Sequence, residues 1–156
     1  MKIKGLVDFD LVNYRKHCLT IEMPICKGFK CGGEFCQNSS LARAPIIEVS
    51  EETIIDFYLD KTRATALCFQ GLEPFDTFDD MIRLISKFRI DYLIDDDIVI
   101  YTGYNKDEIS NELAELKQFE NIIVKFGRYL PNRDSHYDEV LGVRLASDNQ
   151  YAERIS

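Results

Sequence analysis

The run Cys26-Lys27-Gly28-Phe29-Lys30-Cys31-Gly32-Gly33-Glu34-Phe35-Cys36-Gln37-Asn38 constrains this chain more than any other stretch. It gathers three of the five cysteines and three glycines into a mostly polar loop. Glycine accepts tight and left-handed turns, so such a loop wraps around something small rather than burying thiols in a core. Thiolates are soft ligands suited to zinc or iron–sulfur clusters. Structural zinc wants four closed ligands, commonly as paired C-x2-4-C knuckles. Here the spacing is C-x4-C-x4-C with no fourth cysteine beside it. His17 and Cys18 precede the loop, but Cys18 opens the alternating run Leu19-Thr20-Ile21-Glu22-Met23, which reads as a strand. Three thiolates suit a four-iron cluster with one iron left open. Taken alone, the loop also admits a structural zinc site.

With 156 residues, 46% apolar and 29% charged, one soluble domain over 1–156 is expected. The N-terminal Met1-Lys2-Ile3-Lys4-Gly5 leads into an acidic segment, so no signal peptide is expected, and no apolar run is long enough to span a bilayer. A net charge of −8 disfavours a nucleic-acid-binding surface. An odd, clustered set of cysteines is not a secreted disulfide framework, and a reducing cytoplasmic compartment is expected.

Ile3, Leu6 and Val7 read as a short strand and Asp8-Phe9-Asp10 as a turn. Residues 18–25 read as a strand with Leu19, Ile21 and Met23 inward and a partly open face at Thr20 and Glu22. Ser50 is the expected N-cap of a helix through Asp60, burying Ile54, Phe57 and Tyr58. Thr65 to Phe69 reads as a buried parallel strand. Asp76 or Thr77 is expected to cap a helix carrying Phe78, Met81, Ile82, Ile85 and Phe88. Asp97 to Tyr101 is the next strand. Asn105 with Glu108 forms a capping box for a helix burying Ile109, Leu113 and Leu116, and Ile122 to Phe126 is a further strand. Asp95-Asp96-Asp97 reads as a solvated turn, and the tail from Gly127 as loop-rich. This alternation implies right-handed crossovers and a mainly parallel sheet. Ligands then sit at the carboxyl ends of the strands. Three loops fall there: the cysteine loop, Gln70-Gly71-Leu72-Glu73-Pro74, and Thr102-Gly103-Tyr104.

In that order these pieces resemble a small radical S-adenosylmethionine protein, most like the activating protein of anaerobic (class III) ribonucleotide reductase. Cys36-Gln37-Asn38 is similar to the end of the family's cluster loop. Gly71-Leu72-Glu73-Pro74 is similar to its Gly-Gly-acidic-Pro turn, Tyr101-Thr102-Gly103-Tyr104 to an aromatic-Thr-Gly-Tyr strand end, and Ser147-Asp148-Asn149-Gln150 to a C-terminal Ser-x-Asn-Gln segment. The superfamily's usual spacing is C-x3-C-x2-C, and Gly28, Gly32 and Gly33 permit the wider loop here. Leu72 stands where Gly is usual.

The resemblance implies an α/β fold, a small incomplete β/α barrel with a mainly parallel sheet. It implies that Cys26, Cys31 and Cys36 hold a [4Fe-4S] cluster whose open iron takes S-adenosylmethionine. Phe35 and Gln37 are expected against the adenosyl portion. Gly71, Leu72 and Glu73 are expected at the methionyl ammonium, and Thr102 at the ribose. The implied activity is reductive cleavage of S-adenosylmethionine, generating a glycyl radical on the large subunit of the reductase. A reduced flavodoxin- or ferredoxin-type protein supplies the electron. The competing expectation is a non-catalytic zinc or iron–sulfur module that docks to a partner protein. Cys18 and Cys68 read as packed core residues and His136 as solvated, while Arg128 and Arg144 are candidates for a carboxylate.

Overall fold

The computed structural model describes residues 1–27 and 36–156, Lys61 by its backbone alone. The chain begins with strands β1 (Lys2–Ile3), β2 (Gly5–Asp10) and β3 (Cys18–Met23). Helix α1 (Ser39–Arg43), β4 (Ile47–Glu48), α2 (Glu51–Lys61) and β5 (Ala66–Gly71) follow. Next come α3 (Phe78–Ser86), β6 (Asp97–Tyr101), α4 (Ser110–Leu116) and β7 (Ile122–Phe126). Three short strands end the chain: β8 (His136–Asp138), β9 (Val143–Leu145) and β10 (Tyr151–Arg154).

Six strands form one sheet in the order β10-β7-β6-β5-β3-β2. The four central strands run parallel, and β2 and β10 close the edges antiparallel. No closed barrel is present among the described residues, because β2 and β10 each pair on one side only.

The two faces of the sheet differ in residue size. Leu19, Ile21, Met23, Leu67, Phe69, Ile98, Ile100 and Val124 form one buried face. They pack with Ile54, Ile55 and Tyr58 of α2, Met81, Leu84 and Ile85 of α3, and Leu113 and Leu116 of α4. Period-two alternation sends Cys18, Ala66, Cys68, Val99 and Ile123 to the opposite face, where Tyr14, Leu141 and Leu145 cover them. Large side chains meet helices, and small ones meet loops and the β8–β9 hairpin. The parallel strands follow one another across the sheet without reversal, with their helices on one face.

Several local expectations hold. The Ser50 hydroxyl accepts from Thr53 N at 3.1 Å and starts α2, and Asn105 and Glu108 form a reciprocal capping box. Others are corrected. Asp8 and Phe9 lie within β2, whose pairing with β3 slips between Val7 and Asp10. Thr20 is fully buried, because its hydroxyl donates to Asp10 at 2.5 Å beneath the loop cover. Thr77 holds the N-cap position of α3 but makes no side-chain cap hydrogen bond, and Asp76 does not cap it. Glu73 caps a 3-10 turn over Pro74–Thr77 that leads into it. His136 is half-buried, and its Nδ1 has no hydrogen-bond partner among the described residues.

The expected solvated turn at Asp95 to Asp97 is instead an anchor. Asp96 accepts from the Tyr58 hydroxyl at 2.6 Å. Asp97 is buried at the start of β6, where it accepts from the Tyr14 hydroxyl and from Arg154, both at 2.9 Å, and pairs with Lys16. The segment before β3 and strand β10 thus meet on one carboxylate. Residues 13–15 close over the helix-free face. Tyr101 donates to Asn13 O at 2.6 Å, Arg15 N to Leu141 O at 2.9 Å, and the Arg15 guanidinium to Val140 O at 3.0 Å.

Burial raises the Asp97 carboxyl, but hydrogen bonds from Lys16, Arg154 and Tyr14 outweigh it and hold the group below the usual carboxylate range. Its stabilisation is therefore complete above the unfolded-chain value, about pH 4, and is lost as pH falls through the folded value. Burial, reinforced by the bond to Asp97, pushes the Tyr14 hydroxyl up to about 12. Asp97→Asn should cost about 1–3 kcal/mol at neutral pH, since both cations are half-exposed and retain water. Urea unfolding from pH 7 to 3 should show the gap between variant and parent closing in acid.

Candidate metal centre

The loops after β3, β5 and β6 meet at the carboxyl edge of the sheet, around a cavity of about 300 Å³. Cys26 and Cys36 line it from the ends of the cysteine loop, and both are half-buried free thiols. Gln37 and Asn38 follow at its rim. Gly71, Leu72 and Glu73 line a second side, and Tyr101, Thr102 and Gly103 a third. Lys125 of β7 and Gln150 complete the wall. Cys31 and Phe35 lie outside the described residues.

Backbone and side-chain bonds hold both ends of the cysteine loop. Glu73 N donates to Ile25 O at 2.9 Å, just ahead of Cys26. Lys27 N, just after it, donates to Asp76 Oδ2 at 2.5 Å. On the far side, Ser39 N donates to Cys36 O at 3.2 Å, and the Asn38 amide donates to Gly71 O. Asn38 of the Cys-x-Asn triplet is thus a strut between the cysteine loop and the β5 turn.

Gly71 has φ +88, a conformation costly for any side chain. A Cβ there would lie 2.7 Å from Leu41 Cδ2 and 3.3 Å from Glu22 Cα. Leu72 has no left-handed φ, so a branched side chain meets no backbone penalty at that position. Of the two residues that open this turn, only the first requires glycine.

Glu73 is 4% exposed. Its Oε1 accepts from the Thr102 hydroxyl at 2.7 Å and from Phe75 N at 3.2 Å, and its Oε2 accepts from Gly103 N at 2.9 Å. Burial raises this carboxyl above its usual range. The bonds from Thr102, Gly103 and Phe75 offset that only in part, and neighbouring Asp76 adds to the rise. The Thr102 hydroxyl donates to Glu73 and accepts from Tyr104 N at 3.0 Å. Glu73 and Thr102 border the cavity while clamping the β5 turn to the β6 loop.

Sequence reasoning missed two residues here. Asp76 accepts from Lys27 N and, at 2.8 Å, from the Tyr104 hydroxyl. It looked like a helix cap, and nothing local distinguishes it from one. Lys125 is 6% exposed, donates to Gly127 O at 2.9 Å, and stands 5.8 Å from the Tyr101 ring centroid. A lone lysine inside the apolar strand Ile122 to Phe126 was the available signal.

The C-terminal Ser-Asp-Asn-Gln segment closes on itself and on the loop after β7. Ser147 N donates to Gln150 Oε1 at 3.2 Å, Gln150 Nε2 to Gly127 O at 3.3 Å, and Asn149 Nδ2 to Arg128 O at 2.8 Å. Arg144 borders the cavity and donates to Ser135, whereas Arg128 grips Glu108 at 2.7 and 2.9 Å. Cys18 and Cys68 lie in the sheet, away from the cavity lining. Burial raises both thiols, Cys18 to about 12, which suppresses the thiolate needed for ligation.

A free pair of half-exposed cysteines on one cavity lip, backed by a glycine turn and buried polar walls, fits an iron–sulfur cluster. The profile of the 4Fe-4S single cluster domain matches residues 24–150. The chain belongs to this family of single-cluster iron–sulfur domains, a family of the radical S-adenosylmethionine type. That membership selects a [4Fe-4S] cluster over structural zinc. No curated protein and no solved structure gives a significant match.

Thr102→Val removes a donor to a buried carboxylate and should cost about 1–3 kcal/mol in the apoprotein. With less support for its charged form, Glu73 should titrate higher. The deficit should therefore be larger above the folded pKa of Glu73 than below it, as denaturant titrations across pH will test.

Proposed function

We propose that the chain is a radical S-adenosylmethionine activase that installs a glycyl radical on a large anaerobic ribonucleotide reductase subunit. The observation that carries this reading is the meeting of Cys26, Cys36, the Gly71 to Glu73 turn, Thr102 and Gln150 around one cavity. Apart from Cys26, which opens the cysteine loop, these residues come from the four segments that resemble the activating protein, each of them represented.

In this reading Cys26, Cys31 and Cys36 ligate the cluster, which when bound supplies the electron for reductive cleavage of S-adenosylmethionine. The turn from Gly71 to Glu73 receives the methionyl ammonium by backbone carbonyls beside a buried carboxylate, a match of acceptors to a cation. Phe35 and Gln37 meet the adenosyl portion, and Thr102 lies at the ribose. The sheet, wound in one direction with helices on one face, is an incomplete barrel. Its open side admits a backbone loop of the partner, whose glycine must come within about 3–3.5 Å of the reacting carbon. A reduced flavodoxin- or ferredoxin-type donor supplies electrons in the cytoplasm, and residues 1–156 act as one domain.

Anaerobic reconstitution should give about four iron per chain. Alanine at position 26, 31 or 36 should abolish uptake, while Cys18→Ala and Cys68→Ala keep it. Full iron in Cys31→Ala defeats the ligand set. Mixing the reduced protein with S-adenosylmethionine and a matched reductase should produce a glycyl-radical doublet in electron paramagnetic resonance. Cofactor cleavage without that doublet removes the activase role, and a cluster without cleavage favours a non-catalytic docking module.

A further inference from the structure

Resting on the assignment of Cys26 as a cluster ligand, we propose that Asp76 is a positioning residue that holds the first cysteine and keeps the cluster strongly reducing. Asp76 is 9% exposed, and its two oxygens are used in different directions. Oδ2 accepts from Lys27 N, which is bonded directly to the carbonyl carbon of Cys26, and Oδ1 accepts from the Tyr104 hydroxyl beyond β6. One side chain therefore ties the residue after Cys26 to two other loops of the cavity.

Two electrical consequences share a sign. Amide N–H groups near a cluster raise its potential when they point at its sulfurs, as does reduced negative charge nearby. The Lys27 amide is directed at Asp76, so it is withheld from that role. The carboxylate also adds negative charge beside the backbone of Cys26, which disfavours a further electron. Cleaving a sulfonium by one-electron reduction requires a low potential, and both effects lower it.

Asp76→Asn keeps the shape and one acceptor but removes the charge, whereas Asp76→Ala removes both. Each is reconstituted without oxygen, assayed for iron, melted as apoprotein, and titrated electrochemically by the resonance of the reduced cluster. Asp76→Asn should load fully and show a more positive midpoint. The expected size is a tenfold higher reduced-to-oxidised ratio at fixed potential, about 59 mV for one electron. Asp76→Ala should in addition release iron to a chelator several-fold faster. Tyr104→Phe, which keeps the carboxylate, should show no positive shift. Unchanged midpoints in fully loaded Asp76 variants overturn the inference. Full iron retention in Cys26→Ala overturns instead the ligand assignment beneath it.

Discussion

The buried carboxylate of Glu73 is the interaction on which the cavity depends. Taking a carboxylate out of water is costly, and it persists only where donors surround it. Here the donors come from its own 3-10 turn and from the loop after β6. The same residue gives its backbone N–H to Ile25, ahead of Cys26. Glu73 therefore helps fix the relative positions of three loops, beside the strut from Asn38 to Gly71 O. Asp76, three residues on, extends the clamp to Lys27 and Tyr104. The cavity wall is thus built around two neighbouring acidic groups.

The opposite end of the sheet uses the same device for another purpose. Asp97 gathers Tyr14, Lys16 and Arg154 at the beginning of β6, and its cations remain half in water. At the carboxyl edge the donors to Glu73 are neutral hydroxyl and amide groups, and its environment raises the carboxyl. At the amino edge two cations and a phenol lower it. The two acidic side chains thus behave oppositely because Glu73 is sunk deeper among neutral donors, whereas two cations and a phenol reach Asp97. The stability that acid removes lies at one edge, and the shape of the cavity is set at the other.

Much of the framework was legible because local chemistry and the fold agree. Ile122 to Phe126 and Asp97 to Tyr101 are short apolar runs that the sheet buries on both faces. Ser50, Asn105 and Glu108 carry their capping signals within four residues. The cysteine loop pointed to a metal because few other functions need three thiols and three glycines together. What stayed hidden depended on long-range pairing. Asp76 and Asp97 resemble ordinary turn acids until Lys27, Tyr104, Lys16 and Arg154 arrive from distant parts of the chain. Thr20 looked outward because alternation reports two faces without saying what covers the second. Short strands such as β8 and β9 have too little pattern to stand out from loop.

The cover over the helix-free face has a consequence for the order of events during synthesis. Residues 13–15 meet Leu141, Val140 and Tyr101, and Arg154 reaches Asp97. Gln150 closes the cavity wall against Gly127. Contacts of such sequence separation carry a large loop-closure cost and form late. A ribosome must release the chain as far as Gln150 before the cavity has all its walls. Cys26 and Cys36 emerge well ahead of the residues that complete their shelter.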